Sequence, residues 1–301
     1  MKYLKYINKH VKSFEGKSVL ITGANSGIGF TLAKQIAYLK GSVIMACRSL
    51  ERASKAKEEI LKEVSDSKID IMLYDQSSFD SIKEFSKNLR AKYEKIDAAI
   101  FNAGIYHPKN DMLTMDGFPL TIGTNYVGLY YLFEHIKDYL IENHTEIVVV
   151  TSLVENTVRG KNLEKEFKNK KGNSHAYAVS KRYDTQLAVY MLDEVKDNCK
   201  VILTHPGIAS TNIFSHPESS FTASFKKAGR WFTRTFTNSA EKSSLTTLVA
   251  LFNKDVKSFD MISPRGLFHI AGYPSKRKFA PKKYRNEALI EYTKNLISSK
   301  N

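Results

Sequence analysis

The stretch LITGANSGIG, residues 20–29, sets Gly23, Gly27 and Gly29 directly behind an apolar run. Their spacing is G-x-x-x-G-x-G, not the commoner dinucleotide pattern G-x-G-x-x-G. The run before them and the helical period after them predict a strand, a tight turn and a helix. Gly23 permits the turn out of the strand, Gly27 lets backbone amides approach a phosphate, and Gly29 lets the helix pack close on the sheet. The free N–H groups that open the helix favour an anion, so phosphates are expected at its N-terminus. A simple tight strand-to-helix connection would look the same, so the rest of the chain has to decide.

Outward from that turn, apolar runs alternate with helix-period segments. SVLIT (18–22), SVIMAC (42–47), IDIMLY (69–74), DAAIFN (97–102), IVVVTS (147–152) and VILTH (201–205) are continuously apolar and rich in β-branched residues. Strands of that kind are buried on both faces. Alternation with helices implies βαβ units and a doubly wound parallel sheet, a Rossmann-type α/β fold with helices on both faces. GLFHIAG (266–272) reads as the last strand and YRNEALIEYTKNLI (284–297) as a closing helix. No Pro-, Gly- or Ser-rich linker divides the chain, so a single domain over residues 1–301 is expected. Two segments break the rhythm. Residues 153–175 are polar and lysine-rich and read as a long surface loop. Residues 208–240 carry Phe214, Phe221, Phe225, Trp231, Phe232 and Phe236, either a lid over an apolar ligand or a helical hairpin that buries those rings.

The bulk composition excludes several classes. Cys47 and Cys199 are the only cysteines, which gives neither a disulfide framework nor metal-ligand spacing and suits a reducing cytoplasm. No apolar run reaches the roughly 18 residues of a spanning helix. The first 15 residues are basic and place Leu4, Ile7, Val11 and Phe14 on one helical face. A helix packed on the outside of the domain is expected there, with contact to a membrane surface as the alternative. The net charge of +15 is spread along the chain, without a basic stripe or a nucleic-acid motif, so a solvated surface is expected and no nucleic-acid partner.

Two constellations carry chemistry. About 20 residues beyond the glycines, where an acid would accept from a ribose 2′-hydroxyl, the chain has Ala46-Cys47-Arg48-Ser49. A guanidinium suits a 2′-phosphate, so NADP(H) is expected over NAD; Arg48 as the first cation of a solvated helix is the other reading. In YAVSK, Tyr177 and Lys181 stand four residues apart, on one helical face. An ammonium beside a phenol stabilises the phenolate and draws its pKa down towards the working range. Thr151-Ser152 ends a buried strand, where a hydroxyl can face the same crevice.

TGANSGIG, FNAG (101–104), TNYVG (124–128), VTS, YAVSK and HPG (205–207) follow one another in the order and spacing of the short-chain dehydrogenases/reductases, which the chain resembles over residues 16–212. The resemblance implies about seven parallel strands and hydride transfer between a nicotinamide and an alcohol or carbonyl carbon. It implies Tyr177 as proton donor and acceptor, Lys181 as its partner and a holder of the nicotinamide ribose, and Ser152 as donor to the substrate oxygen. Asn125 would sit in a helix distortion and tie Lys181 to a water chain. Asn25 and Ser26 would face the ribose and phosphates, with Ile28 under the pyrophosphate. Asp75, with Gln76 beside it, resembles the adenine-binding position. Asn102, Ala103 and Gly104 would line the adenosine ribose, and Pro206, Gly207, Ile208 and Thr211 the carboxamide. ACRS, TNYVGLYYL and the long gap from Ser152 to Tyr177 are similar to the branch that holds retinol dehydrogenases and protochlorophyllide reductases.

The expectation is an NADP(H)-dependent oxidoreductase acting on a small apolar carbonyl or alcohol, without a metal. A homo-oligomer is compatible with the resemblance. A dinucleotide-sensing regulator without turnover is the competing reading.

Overall fold

The computed structural model describes residues 2–106, 108–207, 238–266 and 269–300. Phe214, Phe221, Phe225, Trp231, Phe232 and Phe236 of the aromatic segment lie outside them. Among the described residues one eight-stranded sheet forms the centre, in the order β3-β2-β1-β4-β5-β6-β7-β8. Its strands are β1 (Ser18–Thr22), β2 (Ser42–Cys47), β3 (Ile69–Leu73), β4 (Ala98–Phe101), β5 (Glu146–Val150), β6 (Val201–Thr204), β7 (Asp260–Pro264) and β8 (Pro274–Lys278). The first seven run parallel, and β8 closes the edge antiparallel to β7. The six predicted strands are all present.

The seventh is not where the sequence suggested. Among the described residues, 266 and 269–272 form the turn between β7 and β8, where Gly272 takes φ +128°. The apolar run there resembles a strand only in composition. PSKRK of β8 is polar because the strand lies at an exposed edge, which leaves no apolar alternation to read.

Both sheet faces are covered, and the strand side chains divide between them with period two. Leu20 and Ile44 join one core with α4 (Phe79–Lys92), the short α5 (Leu120–Ile122), α6 (Gly128–Glu142), α8 (Ser174–Val195) and a helix at Glu287–Ser298. Val19, Ile21, Val43 and Met45 join the other with α1 (Leu4–His10), α2 (Gly27–Tyr38), α3 (Leu50–Glu63) and a short helix at Leu245–Ala250. The N-terminal segment belongs to this second core. Its helix stops at His10, and Ile7 and Phe14 are both buried, the latter from the turn beyond the helix. Residues 153–175 are more than a surface loop. They hold a 3₁₀ turn (Leu153–Thr157) and α7 (Leu163–Lys168), with Glu155, Glu166 and Phe167 buried. Among the described residues no helix is long and apolar enough to cross a membrane.

Strand order reverses between β1 and β4, and the crevice at the carboxyl ends of an open parallel sheet forms at that switch.

Candidate active site

At the end of β1 the chain turns sharply into α2. Gly23 takes φ +70° and Gly27 φ +55°, a backbone that side chains resist. At Gly29 the constraint is space instead: a Cβ there would stand 2.3 Å from the Gly23 carbonyl and 2.7 Å from Asn102 Nδ2. Ser49 caps α3, Ser78 caps α4 and Asn173 caps α8, each by accepting a backbone N–H. Ser26, at the head of α2, makes no such bond, so the first-turn amides there are unspent.

A cleft runs from this turn along the carboxyl ends of the strands. It is lined by Gly23, Asn25, Ser26, Gly27, Ile28 and Gly29, then by Arg48, Asp75 and Gln76. Asn102, Ala103, Gly104, Ser152, Tyr177, Lys181, Pro206 and Gly207 continue the same wall. Most of the residues singled out in the sequence therefore meet in one place. Ile208 and Thr211 lie outside the described residues.

Ser49, Arg52 and Asn125 add detail that the motifs do not carry. Ser49 is not among the lining residues; its hydroxyl accepts the Arg52 backbone N–H at 3.3 Å as the α3 cap. One turn on, the exposed Arg52 lines the cleft with Arg48, a second cation that the motif reading passed over. Asn125 lies behind the wall. It sits in a π-helical segment, Gly123–Val127, the expected helix distortion. Its amide bonds both backbone groups of Ile105 (2.8 and 3.0 Å) and the Ser180 hydroxyl (2.9 Å).

Gln76 explains how the widened turn is tolerated. A π segment leaves carbonyls without their usual partners, and Gln76 Nε2 donates to Thr124 O at 2.7 Å and lies 3.4 Å from Asn125 O. Gly128 lets that strand end approach, since a Cβ there would sit 1.9 Å from Gln76 O. Asp75 accepts from both Ser77 N (2.9 Å) and Ser77 Oγ (2.7 Å), which fixes the turn after β3. Thr22 Oγ1 takes the N–H groups of Asn102 and Ala103, both at 3.0 Å, and so holds the β4 end against β1.

At the other end of the cleft, α8 presents Tyr177 and Lys181 beside Ser152. Tyr106 packs edge-on against Tyr177 with ring centroids 4.8 Å apart. Lys181 Nζ stands 6.0 Å from the Tyr177 ring centroid and donates to Val150 O at 3.2 Å. It also pairs with Asp184 Oδ2 at 2.9 Å, both side chains being almost fully buried. Asp184 was not singled out by any motif, although its place seven residues after Tyr177 puts it on the same helical face.

The electrostatics follow from burial. Burial raises the Tyr177 phenol; the Lys181 charge pulls it down, Asp184 raises it again and the Ser152 hydroxyl lowers it, leaving it above the ordinary value. The expected downward pull of the lysine is present and is outweighed. Burial works against the Lys181 charge, but Asp184 and Tyr177 more than restore it. Burial pushes Asp184 up to about 6 against the pull of Lys181. His205, at the end of β6, is buried and pushed down to about 3, so it is neutral, and its Nδ1 accepts the Gly207 N–H at 3.0 Å. That bond shapes the turn after β6, where Gly207 takes φ +76°.

Residues 17–220 match the short chain dehydrogenase family. Retinol dehydrogenase 13 of Mus musculus is 30% identical over 210 residues, 67% of this chain and 61% of that protein. Chloroplastic protochlorophyllide reductase of Daucus carota is 34% identical over 152 residues, 48% of this chain and 38% of that protein. The matched region spans less than two thirds of either relative. Among solved structures, an alcohol dehydrogenase from the archaeon Thermococcus sibiricus, complexed with 5-hydroxy-NADP, shares the fold. Its TM-score is 0.61 at 22% identity, covering 80% of this chain and 93% of that one.

Proposed function

The chain belongs to the short chain dehydrogenase family, and from that premise we propose that it is an NADP(H)-dependent oxidoreductase acting on a carbonyl or alcohol. The observation that carries the reading is one cleft with two ends. Uncapped amides and two guanidiniums stand at one end, and a phenol, an ammonium and a hydroxyl at the other.

The residues present fit the dinucleotide. The glycine turn is bare backbone where a side chain would collide, and the first-turn amides of α2 suit a pyrophosphate. Arg48 and Arg52 suit a 2′-phosphate, and among the described residues neither forms an ion pair. Asp75, Asn102, Ala103 and Gly104 line the cleft between, with Lys181, Pro206 and Gly207 at the far end. NADP(H), when bound, supplies or accepts the hydride.

The chain's own residues handle the oxygen. Ser152 donates a hydrogen bond to it and stabilises the charge that develops there. Tyr177 delivers its proton to that oxygen in reduction and takes it back in oxidation. Lys181 holds the ribose side of the cleft and supplies positive charge to the phenol. Ile105 and Tyr106 make the neighbourhood of Tyr177 apolar, which supports a small apolar substrate. The 5-hydroxy-NADP named with the Thermococcus sibiricus enzyme supports the choice of NADP.

The test is NADPH oxidation against a panel of aldehydes and ketones, with NADPH and NADH binding measured alongside. Turnover on at least one carbonyl, lost in Tyr177→Phe, supports the reading. Tight NADH binding with negligible NADPH affinity overturns the cofactor choice. NADPH binding without turnover on any carbonyl favours the dinucleotide-sensing regulator.

A further inference from the structure

The buried Lys181–Asp184 pair asks what a second charge does beside a lysine that the reaction already uses. Tyr177, Lys181 and Asp184 occupy positions i, i+4 and i+7 of α8, so one face carries all three. The Lys181 ammonium has three protons. One goes to Asp184 Oδ2 at 2.9 Å and one to Val150 O at 3.2 Å. The third is left for the cleft, which Lys181 lines; a Cβ on Gly104 would come within 3.4 Å of Nζ.

We propose that Asp184 is a positioning residue for carbonyl reduction: its buried carboxylate anchors the Lys181 ammonium and offsets that charge at the Tyr177 phenol. The proposal rests on the oxidoreductase reading above. A lysine alone favours phenolate, the form an alcohol oxidation needs in order to accept a proton. A lysine paired at 2.9 Å with a carboxylate is close to a neutral unit and exerts a weaker pull on the phenol. In reduction the carbonyl carbon gains the hydride, the C=O π bond breaks, and the oxygen takes the Tyr177 proton, which leaves a phenolate to be reprotonated. That direction needs the phenol at the start of each turnover.

Hydrogen bonding alone is a poor account of Asp184. Its second oxygen, Oδ1, is buried with no hydrogen-bond partner among the described residues. An amide in its place would keep an acceptor for the ammonium while removing the charge. The titratable groups that face Asp184 are Lys181 and Tyr177 on its own helix, Tyr126 from the π segment and Glu155 from the 3₁₀ turn. Arg182 faces Glu155 in turn. Of these, only Lys181 reaches Asp184 with a hydrogen bond. The Tyr126 hydroxyl is bonded to Thr293 instead.

The experiment is a pH titration of the full chain labelled with ¹³C at the tyrosine Cζ, read by NMR, with Tyr177 assigned by its loss in Tyr177→Phe. It needs no substrate, so it stands or falls separately from the search for turnover. Asp184→Asn is expected to lower the Tyr177 midpoint by about one unit, a tenfold rise in phenolate at a given pH. A midpoint that stays put or rises overturns the proposal. Should Asp184→Asn fail to fold, the pair can be removed whole, since an apolar replacement of a buried ion pair is commonly tolerated. Lys181→Met alone is expected to raise the Tyr177 midpoint, and Lys181→Met/Asp184→Leu to return it towards the wild-type value. If the double variant titrates like Lys181→Met, Asp184 exerts no charge on the phenol and the proposal falls. A merely structural role for Asp184 would leave the Asp184→Asn midpoint at the wild-type value and the double variant at that of Lys181→Met.

Discussion

The two ends of the cleft are built in opposite ways. At the α2 end the working groups are backbone amides and two exposed arginines, with glycines where side chains would block approach. At the α8 end they are side chains, and the charged ones are buried and paired. A site of the first kind binds by leaving polar groups unspent; one of the second kind reacts by holding charges out of water, where each strongly affects its neighbours. Substitutions at the first end should therefore alter affinity or crowd the backbone. At the second end they should alter rate and pH dependence.

The sharpest way to test that division is Tyr177→Phe. Turnover should fall by about a hundred- to ten-thousand-fold while NADPH affinity and stability stay close to wild type. Comparable loss of cofactor binding would merge the two ends into one functional unit. Next in size is Gly29→Ala. With 2.3 Å to the Gly23 carbonyl and 2.7 Å to Asn102 Nδ2, the added methyl forces the turn apart. A loss of about 1–3 kcal/mol in denaturant unfolding is expected. An unchanged midpoint would mean that the turn yields at no cost. Smaller again is Arg48→Ala, expected to weaken NADPH by about tenfold and to leave NADH unaffected, read by fluorescence titration. Equal weakening of both cofactors would remove the 2′-phosphate from the argument. Arg52→Ala should act in the same direction and separates the two guanidiniums.

The same contrast explains what could be read in the sequence. The α2 end is local: strand, turn and helix are contiguous, and glycine at Gly23, Gly27 and Gly29 is dictated by backbone angle or by space within a few residues. Buried parallel strands show as unbroken apolar runs, so β1 to β6 were legible almost to the residue. The α8 end depends on contacts between distant segments. Gln76 supporting the carbonyls of the π segment is a contact between residues 48 positions apart. Asp184 carried a signal in its register with Tyr177 and Lys181, but a charged residue on a helix ordinarily reads as solvent-facing. His205 belongs to the HPG motif by its neighbours, and only the fold shows that its ring supports the Gly207 turn. Ser49 follows Arg48 in the sequence, and only the structure shows that its hydroxyl also caps α3. β8 was missed because an exposed edge strand lacks the apolar alternation that marks a strand.

One effect that appears only at high pH also belongs to the buried end. Glu155 belongs to the 3₁₀ turn that follows Ser152, with its side chain buried. Burial pushes its carboxyl up to about 7, against Thr185, Arg182 and Tyr284, with Asp184 adding to the rise. An acid whose folded pKa lies above its unfolded value binds its proton more tightly in the native state. Its contribution to stability is present below the unfolded value of 4.5 and is lost as pH rises through about 7. Glu155→Gln keeps the shape and removes the titration. The variant should match wild type near pH 5 and exceed it near pH 8.5 by about 1–3 kcal/mol in denaturant unfolding. Apart from its coupling to Glu155, Asp184 titrates in the same sense in both proteins, and His205 acts in the opposite sense, towards lower pH. A difference between the two proteins that does not change with pH would mean that Glu155 keeps its charge beneath the turn. The Arg182 guanidinium would then have to outweigh burial, and the α8 end would hold a second compensated ion pair rather than a neutral acid beside one.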